Sequence, residues 1–95
     1  MGITRIVKMT FKPEHIDDFA NYYNSIKHKV AGQPGCKGVK LLKEIGETGV
    51  FFTYSHWDSV EELNNYRNTE AFADIWPTVK NWFAAKAEAW SLDEK

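Results

Sequence analysis

Residues 36–57 read CKGVKLLKEIGETGVFFTYSHW, and this stretch decides the fold. Aliphatic and aromatic residues are frequent on both sides of GETG, whose glycines are typical of a tight turn. We therefore predict two antiparallel strands, residues 36–45 and Val50–Trp57, joined by a hairpin turn at residues 46–49. Adjacent apolar residues such as Leu41 and Leu42 point to opposite sides of a strand, so both faces of the sheet should carry apolar groups.

Before this hairpin, the sequence predicts one strand and one long helix. Ile3–Phe11 is rich in β-branched residues that roughly alternate with polar ones. From Ile16 to Val30 the apolar residues recur every three or four positions, which is the period of an amphipathic helix. The Gly- and Pro-containing segment at residues 32–35 should end that helix.

After the hairpin, two capping signals predict helices. Ser59 is followed three residues later by Glu62, the pattern of a capping box, so a short helix should span residues 60–66. Thr69 can cap a second helix, because its hydroxyl can accept a hydrogen bond from the first helical turn. We therefore expect two consecutive helices with a break between them.

The apolar residues of 72–83 keep a helical period across Pro77, which should kink or restart the helix because proline has no amide hydrogen. A short last strand is predicted at residues 89–92. The order strand, helix, strand, strand, helices, strand is that of the ferredoxin-like α+β fold, a four-stranded antiparallel sheet with helices on one face. The whole chain, residues 1–95, is predicted to form one domain.

The helices can cover only one face of such a sheet, and a chain of 95 residues has no further layer for the other. A second copy packed sheet to sheet is the simplest cover for the remaining apolar side chains. We therefore expect a homodimer.

Composition excludes several functional classes. The chain has 12 Lys and Arg against 13 Asp and Glu, a net charge of −1, which argues against nucleic acid or an anionic membrane as a partner. The basic-Gly-aromatic run of RNA-recognition strands is absent, and no apolar run is long enough to cross a membrane. Cys36 is the only cysteine, so neither an internal disulfide nor a cysteine metal site is expected. With no signal peptide evident either, we expect a cytoplasmic protein.

Residues 33–42, QPGCKGVKLL, contain a Pro-Gly-Cys-x-Gly step that resembles the antibiotic biosynthesis monooxygenase family at the entry to its second strand. The likeness extends over residues 3–83 and includes YSHW at 54–57, then Ser59, Glu62, Leu63, Tyr66, Thr69 and Phe72 in the family's order. The resemblance implies a dimeric α+β barrel with a pocket between the sheet and the helices of each subunit. Some relatives oxidise quinols or polyphenols with O2 and neither metal nor flavin, and others degrade haem. For this chain we expect no cofactor and no metal.

Several positions depart from the pattern of the family. Tyr66 and Ala71 stand where its helix often carries histidines, and Ser55 stands where its third strand commonly has Glu. Thr53 replaces an Asn found in some quinol oxygenases. Trp76 occupies the place of the iron-ligating histidine of the haem-degrading relatives, which argues against haem chemistry here.

The third strand supplies the first candidate site residues. The resemblance identifies Trp57 as a pocket residue whose indole N–H can donate to a quinol oxygen. By strand parity Phe51, Thr53 and Ser55 share its face and should line the same cavity. His56 should point to the opposite face, toward the dimer seam, unless a bulge turns it inward. It is nevertheless the one histidine that we consider as a catalytic base.

The closing helices supply the remaining candidates. Tyr66 and Trp76 can each aim a polar edge into the cavity, and we predict that Tyr66 helps Trp57 to position the substrate. Phe72 and Trp76 are predicted to contact the substrate, although an apolar helical stripe of this kind is more often plain core. Arg5 on the first strand either stabilises a phenolate or pairs with an acidic residue of the partner subunit.

These residues support two hypotheses. In the first, the protein is a cofactor-independent monooxygenase that oxidises a small aromatic quinol or polyphenol, with His56 or water as the base. In the second, a dimer of the chain binds a small aromatic ligand without turnover, in a binding or stress-associated role. The small number of polar groups on the Trp57 face favours the second hypothesis.

Overall fold

The computed structural model describes residues 2–95. Four strands form one antiparallel sheet in the order β2-β3-β1-β4, where β1 is Ile3–Phe11, β2 is Cys36–Lys43, β3 is Val50–Trp57 and β4 is Phe83–Leu92. Three α-helices complete the domain: α1 at Ile16–Ala31, α2 at Val60–Arg67 and α3 at Glu70–Lys80. The predicted ferredoxin-like α+β fold is therefore confirmed.

The central strand β1 determines which side chains face the helices. Its odd-numbered residues Ile3, Met9 and Phe11 are buried, as are Phe51 and Trp57 on β3. They pack in two clusters, one with α1 and α3 and the other with Leu63 of α2. All three helices therefore cover the same face of the sheet.

The opposite face, which we call the outer face, carries apolar side chains with no helix over them. Leu42, Trp90 and Leu92 are 49%, 43% and 45% exposed, and the residues opposite them on the central strands are only partly covered. The pairing of Ile6 with Tyr54 and Trp90 shows that these groups lie side by side on adjacent strands. The outer face is thus apolar across several strands.

Both predicted helix caps are formed. The hydroxyl of Ser59 accepts a hydrogen bond from the amide of Glu62 at 3.1 Å, and that of Thr69 accepts one from the amide of Phe72 at 3.2 Å. Each bond satisfies an amide that has no partner within its own helix. The second strand is shorter than predicted and ends at Lys43, which leaves Ile45 98% exposed in the turn.

The end of the chain corrects two predictions. The last helix runs through Pro77 without restarting and ends at Lys80, so Phe83 belongs to a strand and not to a helical stripe. Phe83 still reaches the core, because it pairs with Phe11 and their rings lie 5.4 Å apart. The last strand begins six residues before the predicted 89. The four alanines within residues 84–89 favour helix locally, and pairing with β1 overrides that preference.

Gly35, in the Pro-Gly-Cys step just before β2, lies in close contact with α2. Its φ is +81°, and a Cβ at this position would lie 2.5 Å from the Cβ and Cγ of Glu62. Its carbonyl accepts a hydrogen bond from the amide of Asp58 at 2.7 Å. Both the backbone conformation and the available space therefore require glycine here.

We predict that Gly35→Ala lowers the free energy of unfolding by at least about 1 kcal/mol more than Gly46→Ala, because the added methyl group overpacks the contact with α2. Gly46 is the control, since its φ of +103° is also positive but a Cβ there meets only the Cγ2 of Thr48, at 3.9 Å. Denaturant unfolding of the two variants measures the difference. Equal losses would show that backbone strain alone fixes Gly35.

Candidate functional site

A cavity of about 430 Å³ lies between the helix-covered face of the sheet and the three helices. Its floor consists of odd-numbered residues of β1 and β3 together with Val39 of β2, and its walls come from α1, α2 and α3. Most of the lining is apolar. A space of this size and lining suits a small aromatic molecule.

Four aromatic side chains from β3, α2 and α3 form a continuous wall of this cavity. The rings of Trp57 and Tyr66 are stacked with centroids 5.3 Å apart, and Phe72 meets Tyr66 edge-on at 5.3 Å. Trp76 stacks on Phe72 at 6.0 Å. We call these four residues the aromatic wall. The structure thus brings together Trp57, Tyr66, Phe72 and Trp76, all of which were predicted as site residues.

Trp57 cannot take the role expected of its indole N–H. The residue is only 2% exposed, and its Nε1 donates a hydrogen bond to the Oγ of Ser55 at 3.0 Å. The predicted bond to a quinol oxygen would leave that buried hydroxyl without its donor. Trp57 therefore contributes an aromatic surface to the cavity, and Ser55 fixes the orientation of the indole.

Tyr66 carries the phenol of the aromatic wall. Burial, with smaller contributions from Cys36 and Tyr22, raises the pKa of its hydroxyl to about 12. The hydroxyl is therefore protonated at neutral pH, so it can donate a hydrogen bond to an anionic oxygen but cannot act as a base.

Two arginines complete the polar lining. Arg5 of β1 and Arg67 at the end of α2 line the cavity, as does the hydroxyl-bearing Thr53. Glu88 of β4 also borders it, but its carboxylate lies beside Lys8, which pairs with it on the outer face. Burial first, and then the charge of Arg67, lower the pKa of the Arg5 guanidinium. The charged side chains that line the cavity are therefore the two arginines.

His56 lies outside this cavity. It points to the outer face, where its Nδ1 is 3.2 Å from the Oγ1 of Thr4 and its ring meets Tyr54 edge-on at 4.9 Å. Strand β3 has no bulge against β1 that would turn the side chain inward. The assignment of His56 as a base for a ligand in the cavity is therefore corrected.

Phe51 shares the inward face of β3 but does not line the cavity. Its ring packs edge-on against Phe11 at 5.7 Å and Phe19 at 5.3 Å, inside the larger core cluster. Its predicted contact with the substrate is corrected for that reason. Thr53 and Ser55, two and four residues further along the strand, do line the cavity.

The sequence analysis missed several lining residues. Arg67 lies four positions after the buried Leu63, so the helical period of α2 gave a signal that could have identified it. Ala87 and Glu88 were missed because no strand was predicted before residue 89, and Ala89, within the predicted strand, was not considered as a lining residue. The aromatic residues of α1, Phe19 and Tyr23, were identified only as part of the helical stripe.

Within residues 2–95, no group of three or more His, Cys, Asp and Glu side chains is arranged to hold a metal ion. Over the same range, no helix has the length and apolar character needed to cross a membrane.

Comparison with known families decides the assignment. The family model described as antibiotic biosynthesis monooxygenase matches residues 2–76. The chain belongs to the antibiotic biosynthesis monooxygenase family. Comparison with curated proteins found no match by sequence.

Solved structures share the fold at low sequence identity. A conserved protein from Methanosarcina mazei Go1 superposes with a TM-score of 0.93 at 19% identity, covering 100% of this chain and 94% of that one. A structure titled antibiotic biosynthesis monooxygenase gives a TM-score of 0.90 at 22% identity, covering 98% of both chains. The heme-degrader MhuD from Mycobacterium tuberculosis, with two hemes bound, gives 0.76 at 21% identity, covering 97% and 94%. At these identities the likeness establishes the fold alone.

The titration of Tyr66 is a direct test of the site geometry. At a pH of about 11 an ordinary tyrosine is mostly ionised, whereas a phenol with a pKa of about 12 remains mostly protonated. We expect the folded protein and its Tyr66→Phe variant to have nearly equal phenolate absorbance at that pH.

In denaturant at the same pH, the phenolate absorbance of these two proteins should differ by that of one tyrosine. Because the folded pKa lies above that of the unfolded chain, the contribution of Tyr66 to stability is complete below pH about 10 and decreases as the pH rises from there to about 12. A difference of one tyrosine in the folded state at pH about 11 would contradict the burial of this hydroxyl.

Proposed function

We propose that the protein is a cofactor-independent monooxygenase that oxidises a small aromatic quinol or polyphenol with O2. The observation that carries the proposal is the cavity of about 430 Å³, walled by aromatic side chains that include the protonated phenol Tyr66. Membership of the monooxygenase family supports it. A mostly apolar pocket limits the access of water to a reactive aromatic anion, which such a reaction requires.

The substrate itself can supply every electron that the reaction needs. A hydroquinone and O2 give a hydroxyquinone and water: one oxygen atom forms a new C–O bond to the ring, and the other leaves as water. The ring loses the electrons that reduce this second atom. The chain's own residues therefore have to bind and orient the quinol and stabilise its anion.

The residues of the cavity divide these tasks. The aromatic wall stacks on the ring of the quinol, and Tyr66 donates a hydrogen bond to the quinolate oxygen. The positive charges of Arg5 and Arg67 favour ionisation of the bound quinol, because a nearby cation lowers the pKa of a phenol. Since His56 faces away and Tyr66 is protonated, water accepts the proton.

We also propose that the protein acts as a homodimer in which two outer faces pack together. The exposed apolar side chains of β2 and β4 and the partly covered Ile6, Phe52 and Tyr54 form one apolar surface. A contiguous surface of this kind is typical of an interface between copies of one chain.

The single free cysteine, Cys36, fits a reducing compartment, and we infer a cytoplasmic location.

A second candidate function is binding of a small aromatic ligand without turnover. The lack of a positioned base favours it: among the described residues that line the cavity there is no histidine, and the one carboxylate, Glu88, lies 3.8 Å from the Nζ of Lys8. A ligand that does not have to lose a proton would need no such group.

Oxygen uptake distinguishes the two candidates. We expect the purified protein to consume O2 with a hydroquinone faster than the uncatalysed reaction, and Tyr66→Phe to reduce that rate about tenfold, the effect of one charge-assisted hydrogen bond. Tyr54→Phe is the control, since it removes the same hydroxyl from a tyrosine on the outer face, away from the cavity lining. Ligand-induced thermal stabilisation with no oxygen uptake, over a panel of quinols, would support the binding protein instead.

Two variants test the dimer, each of which adds one negative charge: one on the outer face and one on the helix-covered side. We expect sedimentation at micromolar concentration to give twice the mass of a single chain, and Trp90→Glu to shift it toward the monomer because the charge lies in the interface. Val60→Glu is the control, with the same added charge at an apolar residue that is 52% exposed on α2, away from the outer face. A monomeric wild-type protein would contradict the proposal.

A further inference from the structure

Two arginines line the cavity from different elements of the fold. Arg5 comes from the central strand β1, and Arg67 is the last residue of α2. Neither forms an ion pair within residues 2–95, where the ion pairs are Lys8 with Glu88, His15 with Asp18 and Lys37 with Asp58. The cavity lining thus contains two cations without carboxylate partners.

The surroundings of Arg5 make this arrangement unfavourable for an empty cavity. The side chain is partly buried, and its Nη1 donates one hydrogen bond, to the Oγ of Ser91 at 2.9 Å. A guanidinium has five N–H donors, so most of them are free to bind another acceptor. Burial and the positive charge of Arg67 both disfavour the charged form of Arg5 and lower its pKa.

The protein offers no anion of its own to this pair. Glu88 is the one acidic residue among the described residues that line the cavity, and its carboxylate is 3.8 Å from the Nζ of Lys8 on the neighbouring strand. The same two residues are paired in the register of β1 and β4, which holds this carboxylate beside Lys8. An anionic ligand in the cavity would supply the negative charge that the lining lacks.

We propose that the cavity binds an aromatic carboxylate, with its ring against the aromatic wall and its carboxylate against Arg5 and Arg67. The inference rests on the proposed function only in that the cavity holds an aromatic ring. A carboxylate fits better than a phenol, because its pKa is about 4 and that of a phenol is about 10, so only the carboxylate is an anion before it binds. Guanidinium groups also match the planar geometry of a carboxylate.

Anaerobic calorimetry with two probes that differ by one charge tests this inference. The probes are 2,5-dihydroxybenzoate and its methyl ester, which share the same quinol ring. We expect the acid to bind at least about tenfold more tightly than the ester at low ionic strength, and the preference to shrink as salt is added. Equal affinities for the two probes would overturn the proposal.

Two variants and one control locate the charge that is recognised. Arg67→Gln, at an exposed helix end, should abolish most of the preference for the acid, and Arg5→Gln should do the same. Lys80→Gln removes one positive charge from the end of α3, outside the cavity, and should leave the preference unchanged. If Arg67→Gln weakens the acid and the ester equally, the pair recognises the phenolic oxygens, and the carboxylate inference is wrong.

This test is independent of catalysis. Because the titrations are done without O2, no turnover occurs, and a preference for the acid stands even if the protein consumes no oxygen with any quinol. Conversely, quinol oxidation with equal affinity for acid and ester would leave the proposed function intact and refute the carboxylate site.

Discussion

The pairing of β1 with β3 is the constraint on which the site depends. Ile3 lies opposite Trp57 and Arg5 lies opposite Ser55, so odd-numbered residues of both strands face the helices together. Because side chains alternate along a strand, a shift of β3 by one residue against β1 would move Trp57 to the outer face and bring His56 inward beside Arg5. The register alone therefore decides that the cavity contains an indole and lacks an imidazole.

The cavity lies between two packed regions and not within one. The larger cluster contains the closely packed rings of Phe11, Phe19 and Phe51. The smaller cluster, with Trp57 and Leu63, lies at the other end of the sheet. Side chains from both clusters line the space between them. A protein interior normally closes such gaps, since unfilled volume forfeits contacts, so a cavity of this size is best explained as a binding space.

Local signals in the sequence were sufficient to predict most of the fold. The caps at Ser59 and Thr69 and the hairpin were predicted because each depends on residues close together in the chain. The first six residues of the last strand were not, because its alanines form a strand only through pairing with β1, a contact distant in sequence. The same distinction holds for the site. The alternation of side chains along β3 was enough to predict that Thr53 and Ser55 line the cavity. The hydrogen bond from the indole of Trp57 to Ser55 depends on side-chain rotamers, which no sequence pattern specifies.

The polar groups of the cavity favour anions over proton transfer. Tyr66 is held protonated, the carboxylate of Glu88 lies beside Lys8, and both arginines lack an acidic partner in the part of the chain that is described. Such a site stabilises negative charge that a ligand brings or develops, but it has no group of its own that accepts a proton near neutrality. The ionisation of the ligand must then determine how any reaction here depends on pH, because a bound phenol would lose its proton to water under the influence of the two positive charges.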